Sequence, residues 1–329
     1  MRPYIWVYLT HLGAVLHNAK LNILGNKNMR LPDFLIIGAA KSGTTTLFRY
    51  LCKHPQFYNP YKDRDILGKK GNKEPNFFSR DDIYAKGIDW YASLFSRARP
   101  DQVCGEATTD YTKYPQFPES AARIAKHLPD VKMIYIMRHP VDRAYSYYVH
   151  LNRTNRKLNF QETFEEHIQK TTVSLDGSNY MLQIEQYLKF FPKEAFLFLL
   201  MDDLVQQPKD TLKKVFNFIG IDDGIDVMSE NEVAANKASQ HLENIHRSKL
   251  FAPLRKIPGA NSMRMLLPQS WKNQIYQMLK KTAYGEQVKK QYYPQPMLPE
   301  TRQMLLERFQ EPNQRLSEFL NRDLSHWSK

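Results

Sequence analysis

Lys41 and the hydroxyls of Ser42, Thr44, Thr45 and Thr46 stand close together in the chain, preceded by Gly38 and divided by Gly43. Donors at that density suit an anion, and a phosphate above all, because loop amides and a first helical turn can aim their N–H groups at one place. The surrounding stretch, PDFLIIGAAKSGTTTLFRYL from Pro32 to Leu51, predicts the elements that hold them. Phe34 to Ile37 is continuous and apolar, as in a strand buried on both faces, while Thr44 to Cys52 offers Leu47, Phe48 and Leu51 at helical spacing. The frame from Gly38 to Gly43 is the G-x-x-x-x-G of a nucleotide phosphate loop, yet Thr44 occupies the place of the lysine that grips the β and γ phosphates. With its lysine displaced to Lys41, the loop can cradle a phosphate without reading as a Mg-ATP or Mg-GTP site. The plain alternative is an ordinary strand-to-helix turn.

A second anion-ready strand end comes about a hundred residues later. Val131 to Met137 clusters apolar residues like an interior strand, Arg138 stands at its carboxyl end, and Pro140 pre-sets a first helical turn. Ligands of open α/β sheets bind beyond the carboxyl ends of the strands, so Arg138 and Ser146 could meet a phosphate presented near Lys41. Against this, Arg138 could simply pair with a carboxylate such as Asp142.

The run AAKSGTTTL resembles the 5′-phosphosulfate loop of sulfotransferases that use 3′-phosphoadenosine-5′-phosphosulfate (PAPS), where Lys precedes a Ser/Thr-Gly-Thr-Thr step. KMIYIMRHPVDRAYSYY, from Lys132, resembles the 3′-phosphate element of the same family. KEPNFFSR from Lys73, GIDWYASLF from Gly87, GEATTDYT from Gly105 and MLPETRQMLLERFQEPNQRLSEFLNRDLSHW near the end agree with it. The similarity runs from residue 32 to residue 329, toward the heparan-sulfate-type and bacterial sulfotransferases. It implies a PAPS donor held by Lys41, Ser42, Gly43, Thr44, Thr45, Thr46, Arg138 and Ser146. A Lys/Arg-rich loop, G-K-x-K-G-R, closes over the 3′-phosphate in the animal enzymes and is absent here, so Lys237, Arg247, Lys289 and Lys290 are the candidates for a lid.

Sulfuryl transfer needs cations for the charge that shifts onto the leaving phosphate oxygen and a base for the proton of the attacking hydroxyl or amine. Lys41 suits the first task. The resemblance places Glu74 where the heparan sulfate enzymes carry their base, with Lys73 beside it to contact the sulfuryl group or the acceptor. Glu106, just past an expected strand over Gln102 to Gly105, is the chief rival and could order the acceptor or the loop. His139, beside Arg138, ranks third because imidazole titrates near neutrality. No metal is expected, since cationic side chains can perform the neutralisation that magnesium provides in kinases.

The 329 residues, 42% of them hydrophobic, suit one large α/β domain, a P-loop-like parallel sheet flanked by helices, which the resemblance identifies as a single sulfotransferase domain over 32–329 after an appendage over 1–31. Tyr180 to Phe190 and Lys209 to Phe218 carry helical periodicity, Ala195 to Leu200 reads as a strand, and the stretch after Pro299 predicts a long terminal helix that Pro312 kinks or divides. Cys52 and Cys104 support neither a disulfide framework nor a zinc site. Tyr4 to Leu16 is shorter than a spanning helix and lacks a clear cleavage site, so a bacterial-style cytoplasmic protein is expected, with peripheral membrane contact through this segment.

The net charge is +13, and Lys237 to Lys290 carries eleven Lys or Arg against two acidic residues, within a basic, partly helical insertion at 224–290. Such a field covers a cofactor or draws a polyanion. The expected partner is an acceptor substrate, a glycan or a small alcohol or amine, rather than nucleic acid. Two other classes stay open: a P-loop-type nucleotide phosphate kinase, and a noncatalytic polyanion-binding protein.

Overall fold

In a computed structural model of the chain, the described residues are 29–60, 74–154, 162–228, 268–292 and 294–329. Five strands occur among them, β1 (Phe34–Gly38), β2 (Phe57–Tyr58), β3 (Val103–Ala107), β4 (Lys132–Met137) and β5 (Phe196–Leu200). The longer helices are α1 (Thr44–Leu51), α2 (Ser120–His127), α3 (Pro140–Thr154), α4 (Phe164–Lys170), α5 (Tyr180–Leu188), α6 (Pro208–Ile219), α7 (Gln269–Lys280), α8 (Ala283–Tyr292) and α9 (Pro299–Leu320). The expected α/β class is what the chain adopts.

The chain divides into two compact units. The first unit, 29–138 with 179–228 and 312–322, holds the sheet. Every pairing is parallel and the strand order is β2-β3-β1-β4-β5. Because β1 is central, its residues are buried on both faces, which is why FLIIG reads as an unbroken apolar run rather than an alternating one. Leu47, Phe48 and Leu51 of α1 pack with Phe34 and Ile36 of β1 and with Leu212, Val215, Phe216 and Ile219 of α6. Phe34 stands opposite Gly105 of β3, and a Cβ at Gly105 would overlap the Phe34 ring, so the glycine makes room for the aromatic.

The chain leaves β1 for β2 and β3 on one side and later reaches β4 and β5 on the other. The strand order therefore reverses at β1, and its carboxyl end faces the loops of both halves, the place where sheets of this kind take their ligands.

The second unit comprises the described residues of 139–178, 229–311 and 323–329. Val141, Ala144 and Tyr148 of α3 form its core with Phe164, Leu175, Leu305 and Phe309. Arg143 is buried there and donates to Ser178 Oγ at 2.7 Å and to the Ser174 carbonyl at 2.6 Å. The terminal helix α9 runs unbroken through Pro312, so the proline does not divide it. Proline removes only the bond to the carbonyl four residues back, and flanking turns carry the helix past it. On α9, Leu305, Phe309 and Leu316 are buried, and Phe319 is half-buried with its ring 5.5 Å from that of Phe198.

Residues 1–28, most of the expected appendage, and 229–267, much of the expected basic insertion, lie outside the described residues. No helix of the described residues is long and apolar enough to cross a membrane. Both cysteines are free thiols.

Candidate active site

The loop after β1 is shaped by its glycines and by its neighbours on both sides. A Cβ at Gly38 would overlap the hydroxyl of Thr112, which donates to the Ile37 carbonyl at 2.9 Å. The Ala39 amide donates to the Ile136 carbonyl of β4 at 2.8 Å, and Thr108 past β3 donates from its amide to the Ile36 carbonyl at 3.1 Å. The loop is thus pinned to the strands that flank β1. Lys41 and Gly43 then take positive φ, 72° and 97°, with Ser42 between them. Gly43 accepts at its carbonyl from Thr46 and Leu47, which starts α1. Successive turns of this kind gather backbone N–H groups into a concavity for an anion, and the first turn of α1 adds donors that have no intrahelical acceptor.

Whether a phosphate suits this loop can be judged from Ser42. Its side chain is 0% exposed, and its Oγ finds no partner within the structure. A buried hydroxyl left over in this way suits an acceptor-rich anion such as a phosphate. Thr44 is buried, Thr45 exposed, and Lys41 and Thr46 half-buried, so the loop offers its donors at several depths.

Arg138 follows β4 directly, half-buried, in the first unit. Tyr180 holds its backbone from both sides: the Tyr180 hydroxyl donates to the Arg138 carbonyl at 2.6 Å and accepts from the Arg138 amide at 3.1 Å. That clamp was not legible in the sequence, where Tyr180 marks only the start of a helix. Asp142, the carboxylate suggested as a partner for Arg138, pairs with Arg302 at 2.8 Å within the second unit. Ser146 is half-buried on α3 of the second unit. Lys289 and Lys290 fall on α8, whose side chains at these positions lie outside the described residues, as do Lys73, Lys237 and Arg247.

Glu74 is half-buried, and its carboxylate docks on Thr109 at the carboxyl end of β3. The Thr109 amide donates to Oε2 at 3.4 Å, and the Thr109 hydroxyl donates to the same oxygen at 3.2 Å. Since β3 pairs with β1 and β1 with β4, the structure brings Glu74, the Lys41 loop and Arg138 to one edge of the sheet. Sequence reasoning flagged the segment GEATTDYT as a whole and missed Thr109 as the seat of Glu74. A loop carboxylate and a threonine 35 residues apart share no local pattern.

Glu106 lies inside the fold, 0% exposed. Three hydroxyls donate to it, Tyr111 at 2.6 Å and Tyr91 at 3.1 Å on Oε1, and Thr108 at 2.7 Å on Oε2. Burial pushes its carboxyl up to about 7; the hydroxyls pull it down, and the Glu74 charge adds to the rise. A group sealed this way cannot reach an acceptor, which disfavours it as the base. His139 is half-buried in the second unit, with its ring 6.5 Å from that of Trp327. No cluster of three or more His, Cys, Asp or Glu able to hold a metal occurs among the described residues.

Known proteins similar to this chain are sulfotransferases. The chain is 31% identical over 202 residues to human heparan sulfate glucosamine 3-O-sulfotransferase 6, an alignment covering 60% of the chain and 54% of that protein. It is 31% identical over 211 residues to the human bifunctional heparan sulfate N-deacetylase/N-sulfotransferase 3, covering 58% and 22% respectively. The chain thus spans about half the length, or less, of these relatives. A crystal structure of a sulfotransferase from Alicyclobacillus acidocaldarius shares the fold, with a TM-score of 0.59 at 24% identity over 91% of this chain and all of that one. The model of the sulfotransferase domain matches residues 31–288, and on that match the chain belongs to the sulfotransferase domain family.

Proposed function

We propose that the chain moves a sulfuryl group from PAPS to an acceptor hydroxyl or amine by in-line displacement, with Glu74 as the base. The observation that carries this reading is the meeting, at the carboxyl edge of β3, β1 and β4, of one carboxylate and a cation-bearing anion loop. When bound, the donor supplies a sulfuryl group already activated on a phosphosulfate linkage. The amides around Lys41 and Gly43, with the Ser42 hydroxyl, would hold the 5′ end, and the Lys41 ammonium would neutralise charge on the bridging oxygen as the sulfur–oxygen bond breaks. Arg138, its backbone clamped by Tyr180, would take the 3′-phosphate. Glu74 would accept the proton released as the acceptor oxygen or nitrogen bonds to sulfur.

For the acceptor, the names of the relatives favour a sugar hydroxyl or glucosamine amine on a glycan over a small alcohol or amine. The kinase alternative is disfavoured by Thr44, which leaves the β and γ phosphates without their usual lysine. A noncatalytic polyanion binder would have no use for a carboxylate seated at the same carboxyl edge of the sheet as the Lys41 loop. The test follows release of adenosine 3′,5′-bisphosphate from PAPS by purified protein against a panel of sulfated and unsulfated glycans, simple alcohols and amines. Acceptor-dependent release is expected with at least one class. Failure to bind adenosine 3′,5′-bisphosphate in calorimetry would remove the donor assignment.

A further inference from the structure

Glu106 is an expensive residue to keep where it is. A carboxyl removed from water costs far more than an apolar side chain of the same size unless its bonds are well made, and no Lys or Arg among the described residues forms an ion pair with it. Its three hydroxyl donors all lead in one direction.

Thr108, which donates to Oε2, accepts in turn from the Asn76 amide at 3.4 Å. Asn76 stands two residues after Glu74, in left-handed backbone with φ 56°, and its side-chain amide donates to the Glu74 carbonyl at 3.1 Å. Its own carbonyl closes the turn by accepting from the Ser79 and Arg80 amides at 3.3 and 3.1 Å. A hydrogen-bonded path therefore runs from the buried carboxyl to the backbone of the residue that carries the exposed-edge carboxylate.

The other two donors reach the same loop by packing. The Tyr91 ring stacks on Phe77 at 4.6 Å and meets Phe78 edge-on at 5.0 Å, and the Tyr111 ring lies 5.7 Å from Phe78. Phe77 and Phe78 are both 0% exposed. Glu106 fixes the two tyrosine hydroxyls, the tyrosine rings fix the two phenylalanines, and the phenylalanines hold the segment just past Glu74.

We infer that Glu106 is a positioning residue for the transfer reaction: it orients the Glu74 loop through Thr108 and Asn76 on one oxygen and through Tyr91 and Tyr111 on the other. This rests on the reading of Glu74 as the base. The ionised form of Glu106 is the one that can accept from all three hydroxyls, so alignment is best when its proton is absent. The titratable groups that face it are Tyr91, Tyr111, Glu74 and, at longer range, Tyr187.

The test compares Glu106→Gln, Thr108→Val, Thr108→Ser and Glu74→Gln for kcat, KM for PAPS, affinity for adenosine 3′,5′-bisphosphate and melting temperature. Misplacing a reacting group by about 1 Å can cost ~100-fold. Glu106→Gln and Thr108→Val should lower kcat by roughly 10- to 100-fold with KM for PAPS unchanged. Thr108→Ser, which keeps the hydroxyl, should restore most of the loss. The wild-type kcat should rise with pH through about 7, and Glu106→Gln should lack that rise. Wild-type kcat in folded Glu106→Gln and Thr108→Val, alongside an inactive Glu74→Gln, would overturn the inference and leave the base in place. If Glu106→Gln fails to fold, the Thr108 pair decides alone: equal kcat in the Val and Ser variants overturns it. Full turnover in Glu74→Gln would remove the base and this role together.

Discussion

The carboxylate of Glu74 rests on Thr109, taking one hydrogen bond from its amide and one from its hydroxyl on the same oxygen. That seat places a loop carboxylate beside the carboxyl end of the central strand. Replacing Thr109 with Val keeps shape and backbone amide and deletes the hydroxyl. A hydrogen bond to a charged group is worth ~1.5–3 kcal/mol, so kcat should fall by about tenfold or more, with KM for PAPS unaltered. Initial-rate kinetics on the purified variant check this, and an unchanged kcat would mean that the hydroxyl does not hold the proposed base.

Lys41→Ala should lower kcat by ~100- to 1,000-fold, the range seen when one group that stabilises developing charge is removed. The melting temperature should stay close to the wild-type value, because Lys41 is half-buried in a loop rather than part of the core. Rates with saturating PAPS, paired with thermal melts, separate these two effects.

Gly105→Ala is expected to destabilise the protein by about 1–3 kcal/mol, the usual penalty for overpacking a filled core. Its new Cβ would collide with the Phe34 ring in the middle of the β1–β3 pairing. Chemical denaturation should show a lower midpoint with an unchanged slope; an unchanged midpoint would contradict the observed packing.

Stability should also depend on pH through Glu106. Its carboxyl is raised from 4.5 to about 7, so the folded protein binds that proton more tightly than the unfolded chain does. The resulting stabilisation is complete below pH 4.5 and is lost as pH climbs through about 7. Glu106→Gln removes this dependence, so the wild type should lose stability relative to Glu106→Gln as pH rises from 4.5 through about 7. Parallel curves from pH 4.5 to 7 would show that Glu106 is not held protonated.

Much of the scaffold was legible because it rests on local rules. The unbroken apolar runs before Gly38 and before Arg138 predicted interior strands, and β1 and β4 are such strands. Pro140 predicted a helix start, and α3 begins there. The turn that carries Lys41 and Gly43 between β1 and α1 was equally plain, since its residues are neighbours in the chain. Pro312 does not divide its helix, because a long helix can absorb one lost bond. The clamp of Tyr180 on Arg138 and the path from Glu106 to Asn76 were invisible, since each joins residues from different elements.

By itself the amino-acid sequence determined the α/β class, the loop at Lys41 and the candidacy of Arg138, because periodicity, glycine spacing and hydroxyl density act over a few residues at a time. Only the tertiary structure decided which of Glu74 and Glu106 is sealed in the interior. Burial and hydrogen-bond partners depend on which strands pair, and parallel pairing of β3, β1 and β4 sealed one carboxyl among tyrosines while leaving the other at the sheet edge.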